Sequence, residues 1–363
     1  MGPEGRVPDQ DRAGPGRPPL TQVPEPDPAV SVRVRMGRLA DGFLTTQLLY
    51  VAARLGVADV LAEGPRTGAE LAAAVGADPD LLTRALRGLV LEEVLAEEEG
   101  GRFALTDLGQ CLRADAPRSM RGPLLARGEV YYQAAAGTLA AVRHGGTAFE
   151  HVYGDRFFDH LRRHPEQEGA FQASMTARSE QEAGDVVAAY DFGGIGRLVD
   201  VGGRHGILLG AILRSAPDLH AVLVDQPAVV EEARRRLTAE GVADRCQLVP
   251  GDFFAEVPAG ADAYVLSRVL HDWTDDARRV LAACRAAMGP GSRLLVVEAI
   301  LPERAADQPA VIRMDLHMLV LLGARERTEE EFRRLLAGAG FEVRRVVPTR
   351  SVAGLSVIEA GPS

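Results

Sequence analysis

From Gly196 onward the chain alternates short apolar strands with longer helical patterns, and that alternation leaves few folds open to it. The strands are Leu198–Val201, Ala221–Val224, Cys246–Val249, Ala263–Leu266 and Leu294–Val297, each followed by a stretch expected to be helical. Such alternation calls for a parallel sheet with helices on both faces. Phe341–Val347 and Leu355–Ala360 then follow one another across a short turn, which reads as an antiparallel hairpin rather than another crossover. The expected fold class is α/β: a doubly wound, Rossmann-like sheet finished by a C-terminal antiparallel hairpin.

The first of these strands runs into a glycine-rich turn, Asp200-Val201-Gly202-Gly203-Arg204-His205-Gly206, with the helical pattern of Ile207, Leu208, Ala211 and Ile212 behind it. Glycines there let backbone approach a ligand closely, and the helix N-terminus offers unpaired N–H groups. The next strand ends in Asp225, where a carboxylate can take both hydroxyls of a ribose. A nucleoside-bearing cofactor is expected. NAD calls for G-x-G-x-x-G, which this turn does not supply, and Asp200 would repel a pyrophosphate. S-adenosylmethionine (SAM) carries no phosphate, and its cationic amino group suits Asp200. The reversed last strand also distinguishes a SAM-methyltransferase sheet from an NAD-binding one. On these residues alone an NAD-dependent dehydrogenase stays open as the alternative.

Four segments are expected: a disordered Pro-rich tail (1–35), a winged-helix-like domain (36–125), a helical linker and substrate region (126–190), and the sheet domain (191–363). The tail's composition cannot bury enough apolar surface to order itself. In the second segment Thr67 and Asp78 read as caps of two helices, and Val94–Ala96 with Phe103–Leu105 as a hairpin. Winged helices often bind DNA, with Arg84 and Arg87 as groove candidates, but the wing tip carries Glu97-Glu98-Glu99. The net charge of −10 also argues against nucleic acid. All 41 basic residues are arginines, which excludes lysine-dependent phosphate-loop and Schiff-base chemistry. Cys111, Cys246 and Cys284 show no metal or disulfide spacing and read as small buried hydrophobes. No apolar run reaches the length of a membrane span, and no secretory leader is evident, so a cytoplasmic protein without membrane contact is expected.

Ligands of open α/β sheets sit beyond the carboxyl ends of the strands. Asp200, Gly202, Gly203, Asp225, Asp252, Phe253, Ser267 and Arg268 all fall at such ends and are the expected cofactor residues. Asp252 would take the adenine amino group and Phe253 would cover its ring. Leu270-His271-Asp272-Trp273 follows the fourth strand, which puts His271 beside the same crevice.

With Asp200-Val201-Gly202-Gly203, Gly251-Asp252-Phe253-Phe254, Leu270-His271-Asp272-Trp273, Val297-Glu298 and Gly323-Ala324-Arg325-Glu326-Arg327-Thr328-Glu329 in view, the chain resembles the plant caffeate/flavonoid-type O-methyltransferases. It is similar also to their bacterial relatives that methylate aromatic rings of antibiotics. The resemblance covers nearly everything after residue 35. It implies methyl transfer from SAM to a phenolic hydroxyl of an aromatic secondary metabolite, leaving S-adenosylhomocysteine. His271 would be the general base, flanked by Glu298 and Glu326, and no metal would be needed because the sulfonium is already a cationic leaving group. The region from Gly64 to Leu108 resembles this family's dimerisation domain and implies a homodimer. Family positions for the aromatic acceptor are matched by Met175, Met318 and Leu322, with Asp272, Trp273, Phe158 and Phe171 beside them. One departure is Arg204, where the family has a third glycine; a positive φ there would cost about 1 kcal/mol or more. That departure keeps open relatives that hold SAM but hydroxylate or decarboxylate, and the winged helix keeps open a SAM-responsive regulator.

Overall fold

A computed structural model describes residues 28–363 apart from 118, 274 and 275. The first 27 residues of the expected tail lie outside the described residues. Residues 28–35, expected in that tail, instead open a helix, Pro28–Ala40. The helix-breaking prolines stop at Pro28, a local change that an average over 1–35 conceals. On this helix Val32, Val34, Met36 and Leu39 stand 65–68% exposed. It belongs to a separate compact unit ending at Leu44, and Thr45–Ser363 form the other.

In the larger unit, strands β1 (Arg66–Thr67), β2 (Leu95–Glu98) and β3 (Arg102–Leu105) form a small antiparallel sheet in the order β1-β3-β2. Thr67 opens the helix Gly68–Val75 through a capping box with Glu70, and Asp78 caps Pro79–Leu91 through the Leu81 N–H. Leu71, Leu82, Leu86, Leu89 and Phe103 close the core of this winged-helix arrangement. Arg87, a groove candidate, instead pairs with Glu97 of the wing at 3.1 Å.

A run of helices follows, including a π-helical turn at Arg127–Tyr131 and the long helix Pro165–Ala189. The main sheet comprises β4 (Arg197–Val201), β5 (His220–Asp225), β6 (Cys246–Pro250), β7 (Ala263–Ser267), β8 (Arg293–Leu301), β9 (Arg327–Thr328), β10 (Phe341–Pro348) and β11 (Leu355–Pro362). Its order is β10-β11-β8-β7-β4-β5-β6, with the short β9 beside the end of β8. Strands β4 to β8 pair in parallel, while β11 runs antiparallel to both β8 and β10. Successive residues face opposite sides, as a sheet buried on both faces requires. Tyr264 and Leu266 enter one core, while Ala263 and Val265 enter the other. One expected helix is missing, since the segment after β6 is a turn and an irregular loop up to residue 262. Pro250, Gly251, Pro258 and Gly260 punctuate it too closely for a helix to propagate. No helix among the described residues is long and apolar enough to cross a membrane. Of the cysteines only Cys284 is fully buried; Cys111 and Cys246 are half-buried.

Candidate active site

The carboxyl ends of β4, β5, β7 and β8 bring most of the expected residues to one edge of the sheet. Gly202 turns the chain at φ +70°, and a Cβ there would stand 3.0 Å from Val269 and 3.4 Å from the Phe253 ring. A Cβ at Gly203 would collide with the Asp200 carboxylate. Asp200 is 2% exposed and its Oδ1 has no hydrogen-bond partner. Burial, reinforced by the charge of Asp225, pushes its carboxyl up to about 7. Arg204 does adopt the left-handed conformation, at φ +50°. Its N–H donates to Asp225 Oδ2 at 2.9 Å rather than being held for a ligand, and the side chain is exposed. Gln226 N–H donates to the other Asp225 oxygen at 2.7 Å. Asp252 is exposed, and its Oδ1 accepts from the Phe254 N–H at 2.9 Å, a turn-capping bond. Ser267 ends β7 half-buried. Close backbone at Gly202, a ring beside it and, two residues earlier, a buried carboxylate with an unpartnered oxygen fit a nucleoside with a cationic tail. SAM has both parts.

His271 lies in a single 3₁₀ turn after β7 and is 6% exposed. Arg327 holds that turn from outside, donating to the carbonyls of Leu270 at 2.7 Å and Trp273 at 3.1 Å. The imidazole Nδ1 lies 3.3 Å from Glu326 Oε1 and 3.8 Å from Glu298 Oε2. The other oxygen of Glu298 accepts the His271 backbone N–H at 3.2 Å. Both carboxylates are fully buried, Glu298 on β8 and Glu326 immediately before β9, whose pairing with Ile300 and Leu301 brings the R-E-R-T-E segment alongside. The other ring nitrogen, Nε2, faces Asp272 Oδ1 at 3.3 Å, so this expected acceptor residue belongs to the histidine's own surroundings. Burial works against a charged imidazole, but Glu298, Asp272 and Glu326 outweigh it and raise the His271 pKa above its ordinary 6.5. Burial raises Glu298, whereas burial at Glu326 is overcome by its bond to His271 and by Arg268 and Arg178, which hold that carboxyl down.

Arg268 corrects an expectation. Its guanidinium donates to Glu182 Oε1 at 2.8 Å and Glu326 Oε1 at 3.2 Å, so the side chain serves the charged centre instead of the cofactor edge. Its backbone is left-handed, at φ +54°, a strained conformation for a side-chain-bearing residue. Glu182 in turn accepts from Arg178 at 2.7 Å. The ligand atoms of His271, Glu298 and Glu326 lie within 4.8 Å of one another, close enough to share a cation, and Arg268 is the cation seated on Glu326. Sequence reasoning missed Arg178, Glu182 and Arg327. The only signal for the first two was their i, i+4 spacing on the helix face that carries Phe171 and Met175.

Of the residues expected to line the acceptor, Met175 and Leu322 pack against an aromatic cluster of Phe149, Phe157 and Phe171, and Met318 is buried on the helix Pro309–Leu321. Phe158 and Trp273 remain 40% and 37% exposed. The Trp273 ring meets Phe254 edge-on at 4.9 Å. A cavity of about 710 Å³ elsewhere, lined by Arg121, Glu180, Gln181 and Asp185, contains none of the expected site residues.

A doubly wound sheet with one reversed strand, carrying an acidic glycine turn in place of a dinucleotide fingerprint, defines a methyltransferase of the Rossmann-like class. Comparison with known proteins gives the family. Residues 137–342 match the O-methyltransferase domain and residues 38–115 the O-methyltransferase dimerisation domain, so the chain belongs to the O-methyltransferase family. It is 46% identical to a phenazine O-methyltransferase of Lysobacter antibioticus over 327 residues, covering 90% of this chain and 95% of that one. It is 42% identical to the 3-amino-4-hydroxybenzoate 4-O-methyltransferase of Streptomyces cremeus over 312 residues, 85% of each. Among solved structures it resembles an O-methyltransferase from neocarzinostatin biosynthesis bound to SAM and 2-hydroxy-5-methyl naphthoic acid, with a TM-score of 0.75 and 36% identity over 88% of this chain and 96% of that one. The choices between dehydrogenase, DNA-binding regulator and methyltransferase fall to the methyltransferase.

Proposed function

We propose that this O-methyltransferase methylates a phenolic hydroxyl of an aromatic secondary metabolite, with SAM as donor and His271 as general base. The observation that carries the reading is the buried imidazole of His271, held by Glu326 and Glu298 at one ring nitrogen beside the Gly202 crevice. SAM when bound supplies a methyl group on a cationic sulfonium. Asp200 would hold its ammonium, Asp225 its ribose, and Gly202, Gly203 and Phe253 would cradle the nucleoside, with Asp252 and Ser267 at the rim. Met175, Met318 and Leu322 would grip the acceptor ring, with Asp272 and Trp273 on the histidine side.

A phenol of pKa about 10 is only about one part in a thousand ionised at pH 7, a handicap of about 4 kcal/mol. Neutral His271 removes the phenolic proton as the oxygen becomes nucleophilic. Glu298, Asp272 and Glu326 stabilise the imidazolium that results, and a proton held at Nδ1 by Glu326 leaves Nε2, beside Asp272, as the nitrogen that takes the phenolic proton. Met175 and the aromatic cluster exclude water, which would compete for the same base. Three unpaired cysteines suit a reducing compartment, and we place the protein in the cytoplasm as a homodimer joined through residues 38–115.

His271→Ala tests the reading with isotopically labelled SAM and a panel of phenols. A kcat loss of about 10²- to 10⁴-fold is expected, with S-adenosylhomocysteine affinity unchanged and partial rescue by phenols already ionised at the assay pH. Near wild-type turnover of a neutral phenol would remove the base from the mechanism. Substrate altered without label incorporation would favour the non-methylating relatives that Arg204 left open.

A further inference from the structure

Among the described residues one half-buried cation is incompletely satisfied. Arg178 gives Nε to Glu182 at 2.7 Å and Nη1 to the Met314 sulfur at 3.2 Å, while Nη2 is shielded from solvent without a hydrogen-bond partner. A solvent-shielded N–H left unbonded is costly, and such a group in a native site calls for a partner.

Its position says what that partner is. On the helix Pro165–Ala189, Phe171, Met175, Arg178 and Glu182 share one face at i, i+4, i+7 and i+11. The upper part of that face packs with the aromatic cluster, and the lower part joins Arg268 and, through it, Glu326. Met314 stands on the helix Pro309–Leu321, one turn before Met318. Arg178 is therefore the hinge point between the apolar acceptor wall and the charged centre. Glu182 is shared with Arg268, and Glu326 reaches Arg178 only through its charge, so Nη2 still lacks an acceptor. The charges felt by His317 on this wall are those of Arg127 and Arg178, both positive, and with burial they hold that imidazole neutral, down at about 4. Tyr131, whose ring lies 5.4 Å from His317, feels the same two cations, and burial raises its hydroxyl pKa despite them.

We propose that Arg178 binds a carboxylate carried by the aromatic acceptor, making the preferred substrate class hydroxyarene carboxylates. A planar guanidinium matches a carboxylate and orients the ring it is attached to, so that Arg178 fixes which hydroxyl reaches His271. The inference rests on the methyl-transfer reading for its reaction but not for its binding step, and the two can fail separately.

The test pairs a hydroxynaphthoate with its carboxamide on the full-length wild-type protein. Equilibrium binding to the S-adenosylhomocysteine complex should favour the carboxylate by about 10- to 100-fold, and kcat/KM with labelled SAM should show the same preference. Arg178→Gln should abolish most of that preference by raising KM for the carboxylate, and Arg178→Lys should restore part of it. Equal binding of carboxylate and carboxamide to wild type overturns the proposal, and this arm needs no variant to fold. Weakened S-adenosylhomocysteine binding in Arg178→Gln, with acceptor selectivity intact, also overturns it by assigning Arg178 to the carboxylate of the donor. A carboxylate preference in binding with no label transferred to any phenol would sink methyl transfer while leaving the Arg178 site standing.

Discussion

Glu326→Gln should move the acid limb of the pH–rate profile downward. The wild-type limb is expected above pH 6.5, because His271 must lose its proton to act as a base and its surroundings raise its pKa. Glu326 Oε1 stands 3.3 Å from Nδ1. At an effective dielectric constant of about 20 such a pair is worth roughly 5 kcal/mol. Arg268, 3.2 Å from the same oxygen, repels the imidazolium with a charge that stays when Glu326 is replaced. Removing the Glu326 charge takes away one of the carboxylates that raise the His271 pKa, so that pKa falls. Arg268, left without this partner, acts in the same direction. Glutamine still offers an oxygen to Nδ1, so the plateau rate should fall only about tenfold, less than for His271→Ala. The assay is kcat/KM for one phenol at saturating labelled SAM between about pH 5 and 9. The variant should lose less activity at the acid end than wild type does. A limb that stays put or moves up would refute the placement of Glu326 as an ionised partner of the base.

Two further outcomes follow from buried charges. Asp200 titrates near 7 in the fold against an ordinary 3.8, so the folded state holds its proton more tightly than the unfolded chain. Stability is therefore lost as pH rises from about 4 to about 7, roughly 4 kcal/mol in all, and stays lost above that. Asp200→Asn should be more stable than wild type at pH 8, with the difference shrinking toward pH 4, while binding S-adenosylhomocysteine more weakly; denaturant midpoints across pH and calorimetry check both, and parallel pH profiles would contradict it. Arg268→Met leaves Glu326 without its cation and Glu182 with Arg178 alone, and should destabilise by about 3–5 kcal/mol. Adding Glu326→Gln to it should recover part of that loss, and an unchanged midpoint in the single variant would show the network to be energetically idle.

The fold was legible because its signals are local. Strand and helix periods, the caps at Thr67 and Asp78, and glycine turns each need only a few neighbouring residues to be recognised. The same locality marked His271, Asp225 and Gly202, since a strand's carboxyl end can be located without knowing what lies across from it. What escaped depends on which distant segments meet. Arg268 was assigned to the cofactor edge because it follows Ser267 at a strand end, yet its guanidinium finds Glu182 and Glu326 from two other segments. Asp252 caps its own turn through the Phe254 N–H, Arg204 commits its N–H to Asp225, and the loop after β6 lacks a helix that alternation alone would supply. Above all, composition showed 41 arginines without showing which are buried. Local pattern determined the sheet, the turn and the histidine; the tertiary packing decided the ionic partners, because a buried charge is stable only beside groups that the fold, not the chain order, brings within reach.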